Sequence, residues 1–345
     1  MPGVDGSPGE RQTRAGREAG IDPICHTLAG AALSGSGLAR RTALGTAALV
    51  IGANLPDIDV LSYFGGPLAD LEWRRGWTHG VLALVILPVL LAGVLLLVAK
   101  IRIGSWRSVP PAVKPRQLLL LSSVAVLSHP LLDTLNTYGV RWLMPFSGRW
   151  FYGDVLFIVD PWLWLILGGG LAWTWIRRMR EKGQATAPVS WALGLALAYI
   201  AAMAISSLVA RRLVAREIRA RYGGAVLATM AGPLPLTPVS RNFVVEQENH
   251  YRVGAFHWLR RPHVTEVVSY PRRSPAEHPA YSSADSILAF RRFMGWARFP
   301  TLSLEQTGPG EYLVHVVDLR YARAPGTGFG ALTIPVRFPI YGSME

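Results

Sequence analysis

Between residues 81 and 210 the chain alternates long apolar runs with short basic ones. Val81–Ala99, Leu118–Leu135, Val155–Ile176 and Ser190–Ala210 each reach the roughly 17 to 25 apolar residues that a helix needs to cross a bilayer. Ahead of them, Ile24–Leu38 and Thr42–Leu55 are shorter and parted by Arg40-Arg41, a pattern that predicts a tight helical hairpin. Beyond residue 210 the period changes. Phe243-Val244-Val245-Glu246, Val264-Thr265-Glu266-Val267-Val268 and Tyr312-Leu313-Val314-His315-Val316-Val317, set among Pro and Gly, read as strands. The expected fold is therefore mainly α: a polytopic helical membrane protein with a C-terminal β-rich (α+β) extramembrane domain. Its parts are a polar leader over 1–22, expected to be disordered, a helical transmembrane domain over 23–210, and the extramembrane domain over 211–345.

Composition strengthens the membrane reading, since half of the 345 residues are hydrophobic and only 17% are charged, too apolar a balance for a routine soluble enzyme. The net charge of +13 suggests nucleic acid at first sight. Its basic residues, however, sit in short clusters beside the apolar runs (Arg40-Arg41, Lys100 to Arg116, Arg177 to Lys182, Arg211-Arg212), as topology determinants do, and no nucleic-acid partner is expected. The positive-inside rule makes the loops after Ala99 and Ile176 cytoplasmic. With Arg40-Arg41 as the inner tip of the hairpin, the His26 end, the 56–80 loop and the 136–154 loop emerge together on the outer face. The last apolar run then delivers 211–345 to that face too, although Arg211, Arg212, Arg216, Arg219 and Arg221 argue the other way. Residues 1–22 lack the apolar core of a signal peptide. Cys25 is the single cysteine, so a metal here would need His and carboxylate ligands.

Ionisable side chains at the edge of membrane helices are expensive and point to function. Four groups qualify: His26 at the start of the first run, Asp57 and Asp59 in Leu55-Pro56-Asp57-Ile58-Asp59, His79 in Arg74-Arg75-Gly76-Trp77-Thr78-His79-Gly80, and His129 with Asp133 in Ser128-His129-Pro130-Leu131-Leu132-Asp133. Each has an ordinary explanation. A histidine at a helix start can be an interfacial residue, one Asp after a proline can be a cap, and His129 with Asp133, four apart on one helical face, can be a hydrogen-bonded pair. An extended D-x-D would point Asp57 and Asp59 to one side, where they repel unless a cation intervenes. All four groups fall on the same expected side of the membrane, and three His with three Asp suit Zn²⁺, Mn²⁺ or Fe²⁺.

The series His26, L-P-D-I-D at 55–59, R-G-W-T-H-G at 75–80, S-H-P-L-L-D-T-L-N-T-Y-G at 128–139 and D-V-L-F-I-V-D-P-W-L-W at 154–164 resembles the YdjM-like family of predicted membrane-bound metal-dependent hydrolases over about residues 20–176. The resemblance implies an integral protein of the bacterial inner membrane. It maps the family's His, D-x-D, T-H and H-x-x-x-D positions onto the metal ligands His26, Asp57, Asp59, His79, His129 and Asp133.

On that reading, Asp57, His79 and Asp133 carry the catalysis, and six converging ligands could hold two ions bridged by Asp57 or Asp59. Arg74, Arg75 and Arg141 could bind a phosphate or carboxylate of the substrate, with snorkelling anchors as the alternative. Asp154 and Asp160 support the site from behind. Pro130 should kink its helix. The expected cofactor is a divalent metal, zinc before manganese or iron. The expected partners are the lipid bilayer and an amphiphilic or lipid substrate; no oligomeric state follows. A metal-stabilised scaffold and a metal- or proton-handling transporter stay open as alternatives. His250, His257, His263, His278 and His315 lack a ligand spacing and read as ordinary domain residues.

Overall fold

The computed structural model describes residues 22–102, 112–181, 186–273, 277–326 and 329–337. They form two compact units, one holding 22–64 and 73–206 and the other 65–72 and the described residues from 207 on. Of the leader expected over 1–22, only Asp22 is described.

The first unit is helical. Helix α1 (Pro23–Gly35) opens with Asp22 as N-cap and proline at its first position, where the missing N–H is not needed. The turn through Arg40-Arg41 leads into α2 (Gly45–Asn54), which continues as a 3₁₀ segment over Leu55–Gly65. Gly30 sets how closely the hairpin closes, because a Cβ there would stand 2.6 Å from the Leu49 carbonyl oxygen. After α3 (Pro67–Trp73), whose residues 67–72 belong to the second unit, come α4 (Ala83–Arg102), α5 (Pro115–Thr134), α6 (Pro161–Glu181) and α7 (Ala187–Tyr222), of which 207–222 belong to the second unit. Ala48, Leu49 and Ala53 of α2 pack with Leu91 and Leu95 of α4 and with Leu118, Leu121 and Ala125 of α5. Gly52 keeps α2 close to α5, since its Cβ would meet Ala125 Cβ at 2.8 Å. This crossing brings the polar end of α2 to the last two turns of α5.

Among the described residues, four helical segments are long and apolar enough to cross a membrane: Gly45–Gly65, Ala83–Ile101, Pro115–Thr134 and Ala187–Tyr222. Large apolar side chains stay exposed along them, among them Val85, Val89 and Val94 of α4 and Leu195, Leu197 and Ile205 of α7, as a lipid-facing surface requires.

Several expectations are corrected. The run Val155–Ile176 is not one helix: α6 starts only at Pro161, because Asp160 caps it through the N–H groups of Trp162 and Leu163. Its Trp, Gly and terminal Arg content also leaves it outside the four apolar segments, whereas 45–65, expected as half a short hairpin, is among them. The D-x-D is not extended. It lies in the 3₁₀ segment, so the two carboxylates diverge.

The second unit carries the antiparallel sheets of a separate C-terminal domain. Strands β1 (Ala228–Leu234), β2 (Thr237–Glu246), β3 (His250–His257) and β4 (Val264–Pro271) pair in sequence order. Helices α8 (Pro279–Asp285) and α9 (Leu288–Trp296) precede a second sheet of β5 (Pro300–Gly308), β6 (Glu311–Asp318) and β7 (Ala331–Arg337). The three alternating stretches fall on β2, β4 and β6. Ala210, Val214 and Ile218 from the last turns of α7 pack against Phe243, Val245 and Phe256.

Candidate metal centre

The site is assembled from three places in the first unit. Asp57 and Asp59 come from the 3₁₀ segment, His79 from the turn before α4, and His129 and Asp133 from the end of α5. One ligand atom from each of Asp57, His79, His129 and Asp133 lies within 4.8 Å of the others. The Nε2 atoms of His79 and His129 are 3.1 Å apart. Asp133 Oδ2 stands 3.3 Å from His79 Nε2 and 3.6 Å from His129 Nε2, and Asp57 Oδ1 stands 3.5 Å from His129 Nε2. A tetrahedron of ligands at the usual zinc distances of about 2.0–2.1 Å has edges of about 3.3–3.4 Å. Four of the six distances between these donors are therefore close to those of a four-ligand divalent site, and the other two lie within 4.8 Å.

The unmet polar atoms agree with this fit. Asp57 Oδ2 and Asp133 Oδ2 are buried without a hydrogen-bond partner, which is costly for carboxylates unless a cation compensates them. The tautomers agree as well. His129 donates from Nδ1 to the Ala53 carbonyl oxygen at 2.7 Å. Behind His79, the Thr78 hydroxyl donates to Asp59 Oδ2 at 2.9 Å and lies 2.9 Å from His79 Nδ1, with Asp59 Oδ2 at 3.3 Å from the same nitrogen. The hydrogen of His79 thus sits on Nδ1. Both Nε2 lone pairs face inward, the arrangement in which outer carboxylate and carbonyl groups orient metal-binding imidazoles.

Not all six expected ligands stand in this inner set. Asp59 lies behind His79 and also accepts the Arg75 backbone N–H at 2.8 Å. His26 stacks on His129, with ring centroids 3.7 Å apart, and its Nε2 is 3.4 Å from Asp133 Oδ1. Arg74, Arg75 and Arg141 are all buried and engaged with the protein. Arg75 pairs with Asp133 Oδ1 at 3.0 Å and donates to Asn136 Oδ1 at 3.0 Å. Arg74 donates to the Tyr63 hydroxyl, while Arg141 donates to the Arg74 carbonyl oxygen and lies over Trp150. Gly76 makes room for it, since a Cβ there would stand 2.6 Å from the Arg141 guanidinium. Asp160 is a helix cap that also accepts from the Tyr199 hydroxyl. Asp154 is fully buried at a positive φ of 55°.

Three contributors escaped the sequence reading. Asn136 accepts from Arg75 and from the Tyr138 N–H, and its place three residues after Asp133 was the available signal. Thr78 adjoins His79 in the quoted motif. Asp22, directly before Pro23, carried the signature of an N-cap and accepts from the Cys25 N–H and the Trp164 indole. Burial first, then the charges of Asp133 and Asp160, lifts the Asp22 carboxyl above its ordinary range, against those two hydrogen bonds.

Residues 21–212, more than half of the chain and the whole of this site, match the family described as YdjM inner membrane protein. The chain belongs to the YdjM inner membrane protein family. The YdjM match ends within α7, so the C-terminal domain lies almost wholly outside it. A further similarity is to the uncharacterized protein YfhP of Bacillus subtilis (strain 168), 26% identical over 118 residues that cover 34% of this chain and 33% of YfhP. The chain thus spans about a third of that relative. No solved structure matches.

Proposed function

We propose that the chain is a membrane-bound metal-dependent hydrolase that holds a divalent ion, zinc by preference, between Asp57, His79, His129 and Asp133. Its substrate on this reading is a lipid or another amphiphilic phosphoester, met at the outer membrane face. The observation that carries the proposal is the convergence of two imidazoles and two carboxylates, each carboxylate with one buried unpartnered oxygen, in one cluster. Nitrogen and oxygen donors at tetrahedral spacing favour zinc, and manganese or iron accept the same donors.

A divalent ion bound here supplies Lewis acidity and makes hydroxide available from water near neutral pH. The chain's own residues divide the remaining work. Asp59 and Thr78 fix the His79 ring, and the Ala53 carbonyl fixes that of His129. Arg75 and His26 hold Asp133 Oδ1, which leaves Oδ2 turned to the cage. Asp57 is the most open of the four, with its side chain 14% exposed against 5% or less for the others. Its unpartnered Oδ2 is the group to take a proton from attacking water.

The depth of His79 and His129 favours one second reading, in which the ion only stabilises the bundle. Purified protein screened against soluble phosphoesters and phospholipid vesicles separates the two. Hydrolysis that needs added metal and is lost in Asp57→Asn is the expected result. A metal-loaded protein inert on every phosphoester overturns the enzyme reading and leaves the stabilising one.

A further inference from the structure

Asp133 faces two ways: Oδ2 looks onto His79 and His129, and Oδ1 onto Arg75 and His26. On the His26 side lies a small cavity lined by Asp22, His26, Asp133, Asn136 and Asp160, with Phe157 on its apolar wall. It has room for about one water-sized group.

The charges around this space are unbalanced. Asp22 is met by the Cys25 N–H and the Trp164 indole, and Asp160 by two backbone N–H groups and the Tyr199 hydroxyl. All of these donors are neutral. Among the described residues neither carboxylate pairs with a lysine or arginine. His26 adds an unmet acceptor. Its Nε2 faces a carboxylate oxygen, which can only accept, so Nε2 carries the hydrogen and Nδ1 presents its lone pair. That Nδ1 is buried and has no hydrogen-bond partner. A lone pair and two carboxylates lacking a counter-cation, around space for one small group, complement a primary ammonium with its three donors and single charge. A trimethylammonium has no N–H to give and is too large for the space.

We propose that this cavity binds the primary ammonium of a substrate headgroup, so that the phosphoester taken at the metal cage is one that carries an aminoethyl-type amine. The reaction in this statement rests on the hydrolase reading; the ammonium site does not. The detergent-purified full chain is titrated calorimetrically with ethanolamine and with choline, using wild type with and without a metal chelator, Asp160→Asn and Asp22→Asn. Asparagine keeps a capping oxygen while removing the charge, and thermal unfolding of each variant checks its fold. Saturable ethanolamine binding in wild type with and without chelator, absent for choline and weakened at least tenfold in whichever Asp→Asn variant keeps its fold, is the expected result. No saturable ethanolamine binding, equal binding of choline, or equal affinity in folded Asp22→Asn and Asp160→Asn overturns the proposal. A parallel assay on phosphatidylethanolamine, phosphatidylcholine and phosphatidylglycerol vesicles tells the two claims apart. Ethanolamine binding with no lipid hydrolysed sinks only the enzyme reading, and hydrolysis of all three lipids at one rate overturns the claim that the cavity selects the substrate headgroup while leaving the enzyme reading.

Discussion

The Nε2 atoms of His79 and His129 lie 3.1 Å apart, and the other nitrogen of each ring is held by an outer partner. Two lone pairs brought this close repel each other unless a cation lies between them. The outer partners therefore control how well the inner atoms bind.

Asp59→Asn tests that control. Loss of such an outer carboxylate lowers metal affinity about 10- to 100-fold, while saturating metal still fills the site. Competition with a chromophoric chelator measures the change, and an unaltered affinity would show that Asp59 has no part in orienting His79.

Asp133 and Asp57 should differ in what their removal does to stability. Asp133→Ala strands the buried Arg75 guanidinium, and breaking a buried pair in this way costs about 3–5 kcal/mol. Asp57→Ala strands no such cation and should lower the thermal midpoint in detergent less. A further Arg75→Met change in the Asp133→Ala background should recover part of the loss.

The helix crossing that builds the site rests on small residues. Gly30→Ala pushes a Cβ to 2.6 Å from the Leu49 carbonyl oxygen, and overpacking of this kind costs about 1–3 kcal/mol. Gly93→Ala, on α4 with nothing within 4 Å, should be neutral or stabilising, because alanine is the better helix former. Equal thermal midpoints for the two variants would contradict the close α1–α2 approach.

Orientation of the C-terminal domain is a separate expectation. An alkaline phosphatase fusion after Tyr222 should be active, as an outward-facing domain requires. An inactive fusion would give Arg211, Arg212 and Arg216 the deciding vote and move the domain to the cytoplasm.

Much of the site was legible because its residues are costly where they stand. His129 and Asp133 share a helical face at four-residue spacing, and the apolar run before them made two ionisable groups conspicuous. Side-chain period alone could not separate Asp57 from Asp59, since that depended on whether the segment was extended or 3₁₀. In the 3₁₀ form Asp57 faces His129 and Asp59 backs His79. The arginines misled for a related reason. Charge beside the His79 motif suggests a substrate ligand, but Arg75 answers a carboxylate 58 residues away, a pairing that only the fold creates. The β strands were readable from alternation, while the start of α6 was obscured by an apolar stretch that is not helical before Pro161.

The central claim is that Asp57, His79, His129 and Asp133 hold a metal, and metal analysis of the detergent-purified protein beside His129→Ala and Asp57→Ala tests it most directly. Near-stoichiometric divalent metal in the wild type and its loss in both variants is the expected result. Substoichiometric metal, unchanged across all three, would contradict it.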